Sequence, residues 1–270
     1  MNELQQHELQ LLKVFVDLCN KYKLRYFLVC GSALGAVKYK GFIPWDDDID
    51  VGMPRTDYEL FLEKAQKDLP ENLFLQNYRT DKYFPHVFTK LRDSNTTMIE
   101  NNMAHLNMNH GIYIDIFPID GAPNSKRKIE KMKFKKKILA WFHYCALNNN
   151  ERFMVVCRNS VLRLFGFHKK TYKALNYLDK MISVYDTENS EIWCNHGNWQ
   201  GDLEYAPKWH YGNGVEAEFE GIKVIIPEHY DEYLTQKYGD WRSDPPINKQ
   251  KSHHSILVLD TKKSYKEYQK

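Results

Sequence analysis

The spacing of hydrophobic residues predicts helices and strands in alternation over the first half of the chain. Apolar residues recur at helical spacing from Leu4 to Cys19, so residues 3–22 are predicted to form an amphipathic helix that packs on a sheet. The aromatic and β-branched run at 26–30 has the length of a strand. The same patterns predict a helix over 55–69 after Pro54 and strands near 73–76, 85–92 and 111–117.

The second half of the chain follows a different pattern. From about 124 to 184 the spacing is helical and carries no strand signal. Residues 214–226 predict a hairpin that turns at Glu220-Gly221, followed by a helix over 228–238. Together these elements predict a mixed α/β (α+β) sheet covered by helices.

Four aspartates fall within the five positions from Asp46 to Asp50, beside the β-branched residues Ile49 and Val51. The pattern predicts a strand over 47–51 with a polar entry, in which Asp46, Asp48 and Asp50 share one face. Crowded carboxylates repel one another unless a cation lies between them, and their oxygens suit Mg²⁺ or Mn²⁺. The segment therefore predicts a divalent metal site. The alternative is an acidic turn that faces water.

A Gly-Ser pair lies upstream of the aspartates. Gly31 and Ser32 follow the predicted strand at 26–30 and precede a short predicted helix over 33–39. Backbone N–H groups at such a turn and helix N-terminus suit phosphate oxygens. On its own a Gly-Ser turn is mostly structural, but next to the carboxylates it predicts a phosphate site.

A third metal-binding carboxylate is expected from a different strand. Asp115 lies in an otherwise apolar strand, and a buried Asp must be neutralised, hydrogen-bonded to backbone or bound to a cation. We expect Asp48, Asp50 and Asp115 to hold the metal, with Asp46 as a further candidate ligand. The alternative for Asp115 is a cap of the following turn, although Asp120 is the more plausible turn residue.

Composition narrows the class of protein. The 270-residue chain is 43% hydrophobic, which is typical of a folded protein, and its formal net charge of +3 is too small to indicate a nucleic-acid partner. The five cysteines are scattered without a Cys-x-x-Cys pair, which favours reduced thiols. Neither a signal-peptide pattern nor a bilayer-length apolar stretch is found, so we expect a cytoplasmic protein.

The motifs resemble a known family. Gly31-Ser32 followed by Asp48-Ile49-Asp50 is similar to the nucleotidyltransferase signature of Gly-Ser, a spacer and Asp-x-Asp. The longer segments 31–37 and 40–55 resemble the LicD family of phosphocholine transferases, whose relatives include fukutin and fukutin-related protein. Matches at 90–96, 111–120, 238–241 and 245–246 extend the resemblance over most of the chain. The fifteen-residue spacer exceeds the general pattern but is like the LicD version.

The resemblance implies an architecture and an activity. It implies a nucleotidyltransferase-like mixed sheet with flanking helices: a catalytic core over 1–123, an inserted, basic helical subdomain over 124–190, and a part over 191–270 that completes the core. It implies Mg²⁺-dependent transfer of phosphocholine from CDP-choline to a hydroxyl of a cell-surface glycan precursor, such as teichoic acid or a lipopolysaccharide sugar, with CMP released. The glycan is expected to be lipid-linked. Relatives transfer ribitol or glycerol phosphate, so the donor head group stays open.

Roles for the candidate residues follow from this activity. Asp48, Asp50 and Asp115 are the candidate catalytic residues, and Asp115 or a carboxylate beside it would take the proton of the acceptor hydroxyl. Basic residues would contact the leaving phosphate, and aromatic faces would bind a quaternary ammonium. Ordinary surface or core positions are the alternatives for these basic and aromatic residues. The candidate substrate-binding residues are Gly31, Ser32, Lys38, Trp45, Lys90 and Arg92.

Two further segments are candidates for binding. Eight basic residues fall between 126 and 137, with apolar residues among them. Such a helix suits the anionic face of the cytoplasmic membrane or a lipid-linked acceptor, and the alternative is a solvated helix face. His253 and His254 could contact a phosphate or a metal, although adjacent residues in a strand point to opposite sides.

Two other functions remain open at this point. A nucleotidyltransferase in the strict sense would share the metal site but move a nucleoside monophosphate to a small molecule, a protein or RNA and release pyrophosphate. A non-catalytic binding protein with a decayed site is the other alternative, and the intact aspartate set argues against it.

Overall fold

A seven-stranded mixed sheet lies at the centre of the fold in this computed structural model, which describes residues 1–147, 160–161, 164, 171–198, 200–252 and 254–269. Its order is β1-β2-β6-β4-β3, with β7 pairing to both β6 and β8. In chain order the strands are β1 (Phe27–Leu28), β2 (Asp50–Pro54), β3 (Leu73–Gln76), β4 (Thr89–Asp93), β5 (Thr97–Glu100), β6 (Ile112–Ala122), β7 (Ile192–Asn195), β8 (Tyr205–Pro207), β9 (Val215–Phe219), β10 (Ile222–Ile226) and β11 (Ile256–Asp260).

The central strand β6 organises the sheet. All eleven of its residues are buried, and β2 pairs with it in parallel while β4 and β7 pair with it antiparallel. Outside this sheet β9 and β10 form a hairpin. The last strand, β11, pairs antiparallel with β5, which lies far earlier in the chain.

Helices cover the sheet, as the sequence predicted. In chain order they are α1 (Glu3–Tyr22), α2 (Cys30–Tyr39), α3 (Arg55–Ala65), α4 (Lys126–Leu147), α5 (Thr171–Ile182), α6 (Lys208–Tyr211) and α7 (Tyr230–Tyr238), with 3-10 turns at Gly201–Glu204, Ile247–Lys249 and Tyr265–Glu267. The apolar stripe of α1 packs on β6 and α3, while α2 contacts the β9-β10 hairpin and α7. The expected mixed α/β fold is therefore confirmed.

Several predicted elements are confirmed and others differ in extent. The helix over 3–22 and the hairpin that turns at Glu220-Gly221 agree with the structure. The strand expected near 85–92 is shorter, at Thr89–Asp93, and that at 111–117 continues to Ala122 because β7 extends its pairing. Of the helices that the structure describes, none is both long and apolar enough to cross a bilayer. The division into 1–123, 124–190 and 191–270 stays a prediction.

Asp120 is the centre of a buried ionic network, and its expected position in a turn is wrong. It lies within β6, fully buried, because Arg55 at the start of α3 donates to both of its carboxylate oxygens at 2.7 and 2.8 Å. Arg55 also lies 3.0 Å from Asp179 of α5, which accepts hydrogen bonds from Tyr78 and Arg79 at 2.8 Å. The network ties α5, from the segment after β6, to the central sheet.

Breaking this network is expected to destabilise the protein strongly. Asp120→Asn leaves the Arg55 guanidinium buried without its main counter-charge, so the free energy of unfolding should fall by about 3–5 kcal/mol. Urea denaturation measures the loss. The exposed helix substitution Asp17→Asn is the control and should change stability by less than about 0.5 kcal/mol. Equal stability of the two variants would show that the network contributes little.

Candidate active site

The aspartates of the predicted acidic strand lie mostly in a loop. Residues 46–49 are irregular and β2 begins only at Asp50, so the strand predicted over 47–51 is wrong in its first three positions. Contacts with distant parts of the chain hold this loop. Gln5 of α1 donates to the backbone carbonyl of Asp46 at 3.0 Å, and His254 and Ser252 contact the Asp47 carboxylate.

The Gly-Ser pair supports the acidic segment directly. Gly31 and Ser32 belong to the first turn of α2, which begins at Cys30 instead of after Ser32. A Cβ atom at residue 31 would lie 2.6 Å from the Asp46 carboxylate, so any larger residue at this position would displace that carboxylate. The Ser32 hydroxyl accepts a hydrogen bond from the backbone N–H of Asp50 at 2.8 Å. Binding of phosphate by the pair stays a prediction.

Three predicted residues form a row across the sheet. Asp50 of β2 is the register partner of Asp115 in β6, and Asp115 is the register partner of Lys90 in β4. Side chains of register partners lie on the same face of a sheet. The Lys90 ammonium lies 2.9 Å from an Asp115 carboxylate oxygen, and both residues are buried. The sheet thus brings together Asp50 and Asp115, as predicted, with Lys90 as their counter-charge.

His254 supplies a second cation. Its Nδ1 atom lies 3.1 Å from Asp47 and its Nε2 atom 3.9 Å from Asp48. Burial disfavours the imidazolium, but the hydrogen bond with Asp47 and the charge of Asp48 outweigh that effect and raise the His254 pKa to about 9. The sequence offered His254 as a candidate contact for a phosphate or a metal, and the structure places it beside Asp47 and Asp48. His253 lies outside the described residues.

Burial and mutual repulsion govern the ionisation of the cluster. Burial, reinforced by the charges of Asp48 and Asp47, raises the pKa of Asp46 to about 8. Burial and the neighbouring carboxylates also raise the pKa of Asp50 well above its ordinary value. Asp115 shows the same direction, because burial outweighs the opposing effect of Lys90. These shifts all disfavour the charged form, so charging the whole cluster at once is unfavourable.

The fit of a divalent ion rests on the donor set. Among the described residues, no three His, Cys, Asp or Glu side chains already stand in an arrangement that would coordinate an ion. The donors are carboxylate oxygens, the ligand type of Mg²⁺ and Mn²⁺. Glu8 of α1 adds a fully buried carboxyl group close enough to interact electrostatically with Asp46, Asp47, Asp48 and Asp115, and neither oxygen has a hydrogen-bond partner in the described chain. An orphaned carboxyl beside crowded carboxylates fits a site that receives a cation.

Three of the aspartates line a cleft with a volume of about 680 Å³. Asp46, Asp48 and Asp50 line this cleft together with Gly31, and part of the lining is an aromatic wall. That wall contains four residues, two near α2 and two at and after the end of α7: Tyr39, Trp45, Tyr238 and Trp241.

The remaining predicted binding residues occupy different environments. Lys38 lines the cleft and forms an ion pair with Asp244 at 2.6 Å, and Trp45 packs edge-on against Tyr39. Arg92 is fully buried, and its guanidinium donates to Gln76 and to the Gly111 carbonyl. Its expected contact with a phosphate is therefore not accessible in this structure.

Glu8 was not predicted as a site residue from the sequence, and His254 was predicted only as a candidate contact for a phosphate or a metal. Glu8 lies four residues after Leu4 and four before Leu12, so it occupies the apolar stripe of α1. An acid within an apolar stripe was the one sign in the sequence that Glu8 is buried. His254 gave only a weak signal, because its partners are about 207 positions away in sequence.

Comparison with known proteins decides the family. The chain is 30% identical over 256 residues to the lipopolysaccharide cholinephosphotransferase LicD of Haemophilus influenzae, which covers 91% of this chain and 92% of that protein. It belongs to the LicD family. Residues 23–151 also match the family model described as LicD/FKTN/FKRP, nucleotidyltransferase domain. An uncharacterized protein of Rickettsia prowazekii is 40% identical over 55 residues, about 20% of each chain. The resemblance seen in the motifs of this LicD family member is thereby confirmed.

Removing one carboxylate should stabilise the protein when no divalent ion is present. Folding raises the pKa of the Asp50 carboxyl group. Such a group lowers the free energy of unfolding of the protein as the pH rises from the unfolded pKa, near 4, towards the folded pKa. Asp50→Asn removes that penalty, so in EDTA at pH 7.5 its unfolding temperature should exceed that of the wild type by about 2 °C, for about 1 kcal/mol. Thermal unfolding by circular dichroism measures the difference.

The gain should shrink as the pH approaches 4, where the unfolded Asp50 carboxyl is also protonated. Asp17→Asn, the exposed control, should show no gain at either pH. A lower unfolding temperature for Asp50→Asn at pH 7.5 would contradict the repulsion described above.

Proposed function

We propose that this protein transfers a phosphocholine-type group from a CDP-linked donor to a hydroxyl of a cell-surface glycan precursor and releases CMP. The pairing of Asp50 with Asp115 on adjacent parallel strands carries the proposal, because Asp50 also lines a cleft large enough for a nucleotide. Similarity along 91% of the chain to a protein named as a lipopolysaccharide cholinephosphotransferase supports the donor and acceptor classes. Teichoic acid is a second acceptor candidate.

A divalent ion, Mg²⁺ or Mn²⁺, would neutralise the diphosphate when bound. Asp48 and Asp50 would hold it, with Asp115 and Asp46 as further ligands. Gly31 and Ser32, in the first turn of α2, would orient the donor phosphates through their backbone N–H groups. Lys90 would hold Asp115 in place through the 2.9 Å ion pair, and Asp115 or a carboxylate beside it would accept the proton of the attacking hydroxyl.

The aromatic wall of the cleft suits a quaternary ammonium. Trp45 and Tyr39 pack edge to face at 6.3 Å, and both line the cleft with Trp241. Aromatic faces attract a cation that carries no hydrogen-bond donor, and Asp240 adds negative charge to the same cleft, whereas the charge of Asp244 is paired with Lys38. These features support choline as the donor head group over ribitol or glycerol.

The exposed side of α4 supports contact with an anionic membrane that carries a lipid-linked acceptor. Ile129 and Met132 are buried, while Phe134 is 66% exposed among exposed basic residues. Lys136 is held inside by the His196 carbonyl and does not contribute to that surface. The side chains of the apolar residues at 139, 141 and 142 lie outside the described part of the structure. Peripheral association at the cytoplasmic face of the membrane follows as part of the proposal.

Product analysis tests the activity. The wild-type protein with CDP-choline, Mg²⁺ and a lipopolysaccharide-type oligosaccharide should form a phosphodiester and CMP, both visible by phosphorus NMR. Asp50→Asn should lower kcat at least about 100-fold, because it weakens both ion binding and charge neutralisation. Asp17→Asn should retain wild-type turnover.

Two outcomes would contradict the proposal. Full turnover by Asp50→Asn would show that the carboxylate cluster does not take part in catalysis. Release of pyrophosphate from a nucleoside triphosphate, with no use of CDP-choline, would favour a nucleotidyltransferase in the strict sense.

Membrane contact has a separate test with vesicles. The triple variant Lys128→Gln, Lys131→Gln and Lys135→Gln removes three exposed charges from α4. It should sediment less with vesicles containing 30 mol% phosphatidylglycerol (roughly, a bacterial-like anionic fraction), since each lysine contributes about 1 kcal/mol near an anionic surface.

The matched control removes three exposed lysines from other surfaces: Lys223→Gln, Lys262→Gln and Lys266→Gln. The control should sediment like the wild type. Equal loss of vesicle binding in both triple variants would indicate an effect of net charge and not of a docking face on α4. Absence of vesicle binding by the wild type would contradict membrane contact altogether.

A further inference from the structure

Glu8 stands out among the buried charged groups that the proposed mechanism does not use. It is fully buried, and neither of its carboxyl oxygens has a hydrogen-bond partner in the part of the chain that the structure describes. Other buried acids do have partners: Glu204 accepts from Lys237 at 2.7 Å, and Asp120 is held by Arg55. Native proteins seldom leave a buried polar group unsatisfied, so this one requires a physical cause.

Helix α1 fixes where the Glu8 carboxyl lies. One turn earlier on the same face, Gln5 donates to the Asp46 carbonyl at 3.0 Å, which docks the helix against the acidic loop. The capping box between Asn2 and Gln5 anchors that first turn. Glu8 interacts electrostatically with four aspartates of the cluster: Asp46, Asp47, Asp48 and Asp115.

Packing alone does not account for an acid at this position. The surrounding stripe of α1 is apolar, with Leu4, Leu12 and Phe15 buried on the same face. A leucine or methionine would fill such a site without the cost of desolvating a carboxyl group among like charges. The existing cations are already engaged, since Lys90 pairs with Asp115 and His254 with Asp47.

We propose that Glu8 is a further carboxylate of the divalent-cation site, contacting the ion or a water molecule bound to it from the α1 side. The inference rests on the proposed function, because it requires that Asp48 and Asp50 bind a cation. A residue that supports a metal shell in this way is a positioning residue, and its loss weakens metal affinity typically 10- to 100-fold.

Manganese binding without substrate provides the test. Free Mn²⁺ is measured by electron paramagnetic resonance during titration of the wild type and of Glu8→Gln, Asp50→Asn and Asp17→Asn. Glu8→Gln should bind Mn²⁺ about 10- to 100-fold more weakly than the wild type, whereas Asp17→Asn, an exposed change on the same helix, should bind equally. Asp50→Asn should bind at least as weakly as Glu8→Gln.

Thermal unfolding separates this role from a structural one. In EDTA, Glu8→Gln should unfold at the wild-type temperature or above it, but the rise in unfolding temperature on adding Mn²⁺ should be smaller. If Glu8 were purely structural, Glu8→Gln would lower the unfolding temperature in EDTA and leave the Mn²⁺-induced rise intact. Should Glu8→Gln fail to fold, Glu8→Met, which suits the apolar stripe, takes its place in both measurements.

The outcomes distinguish the two proposals. If Asp50→Asn loses Mn²⁺ binding while folded Glu8→Gln or Glu8→Met binds like the wild type, the role of Glu8 is overturned and the metal site stands. If the wild type binds no Mn²⁺, or Asp50→Asn binds it unchanged, the metal site itself fails and the Glu8 inference fails with it.

Discussion

The parallel pairing of β2 with β6 is the constraint on which the site depends. It places Asp50 directly beside Asp115 in a buried part of the sheet, where carboxylates repel one another strongly. Each of the nearby charged contacts offsets that repulsion: Lys90 lies against Asp115, and His254 lies against Asp47 and Asp48. The arrangement stores unfavourable electrostatic free energy at one place, as functional sites commonly do.

Segments that are far apart in sequence converge on this place. Gln5 and Glu8 approach from α1, Gly31 from α2, and Ser252 and His254 from the C-terminal part. Because these contacts span most of the chain, the acidic loop reaches its conformation only when the whole fold is assembled. The central sheet and its helical cover thus hold these carboxylates at close range.

Local patterns were sufficient for some features and insufficient for others. The apolar stripe of α1, the hairpin at Glu220-Gly221 and the grouping of Asp50 with Asp115 follow from periodicity and motif spacing. The loop at 46–49 could not be predicted, because its shape depends on Ser252 and His254, about 205 and 207 residues from Asp47. Arg92 was expected at a phosphate, but its pairing with Gln76 and Gly111 depends on how β3 and β6 flank β4. Side-chain burial of this kind is set by tertiary packing.

Anomalous diffraction from crystals soaked with Mn²⁺ and a cytidine nucleotide would show whether the aspartates bind a divalent ion beside the donor. We expect one manganese peak in contact with carboxylate oxygens of Asp48 and Asp50, beside the nucleotide phosphates and the first turn of α2. A nucleotide bound elsewhere, or Asp48 and Asp50 turned away from the manganese, would contradict this expectation.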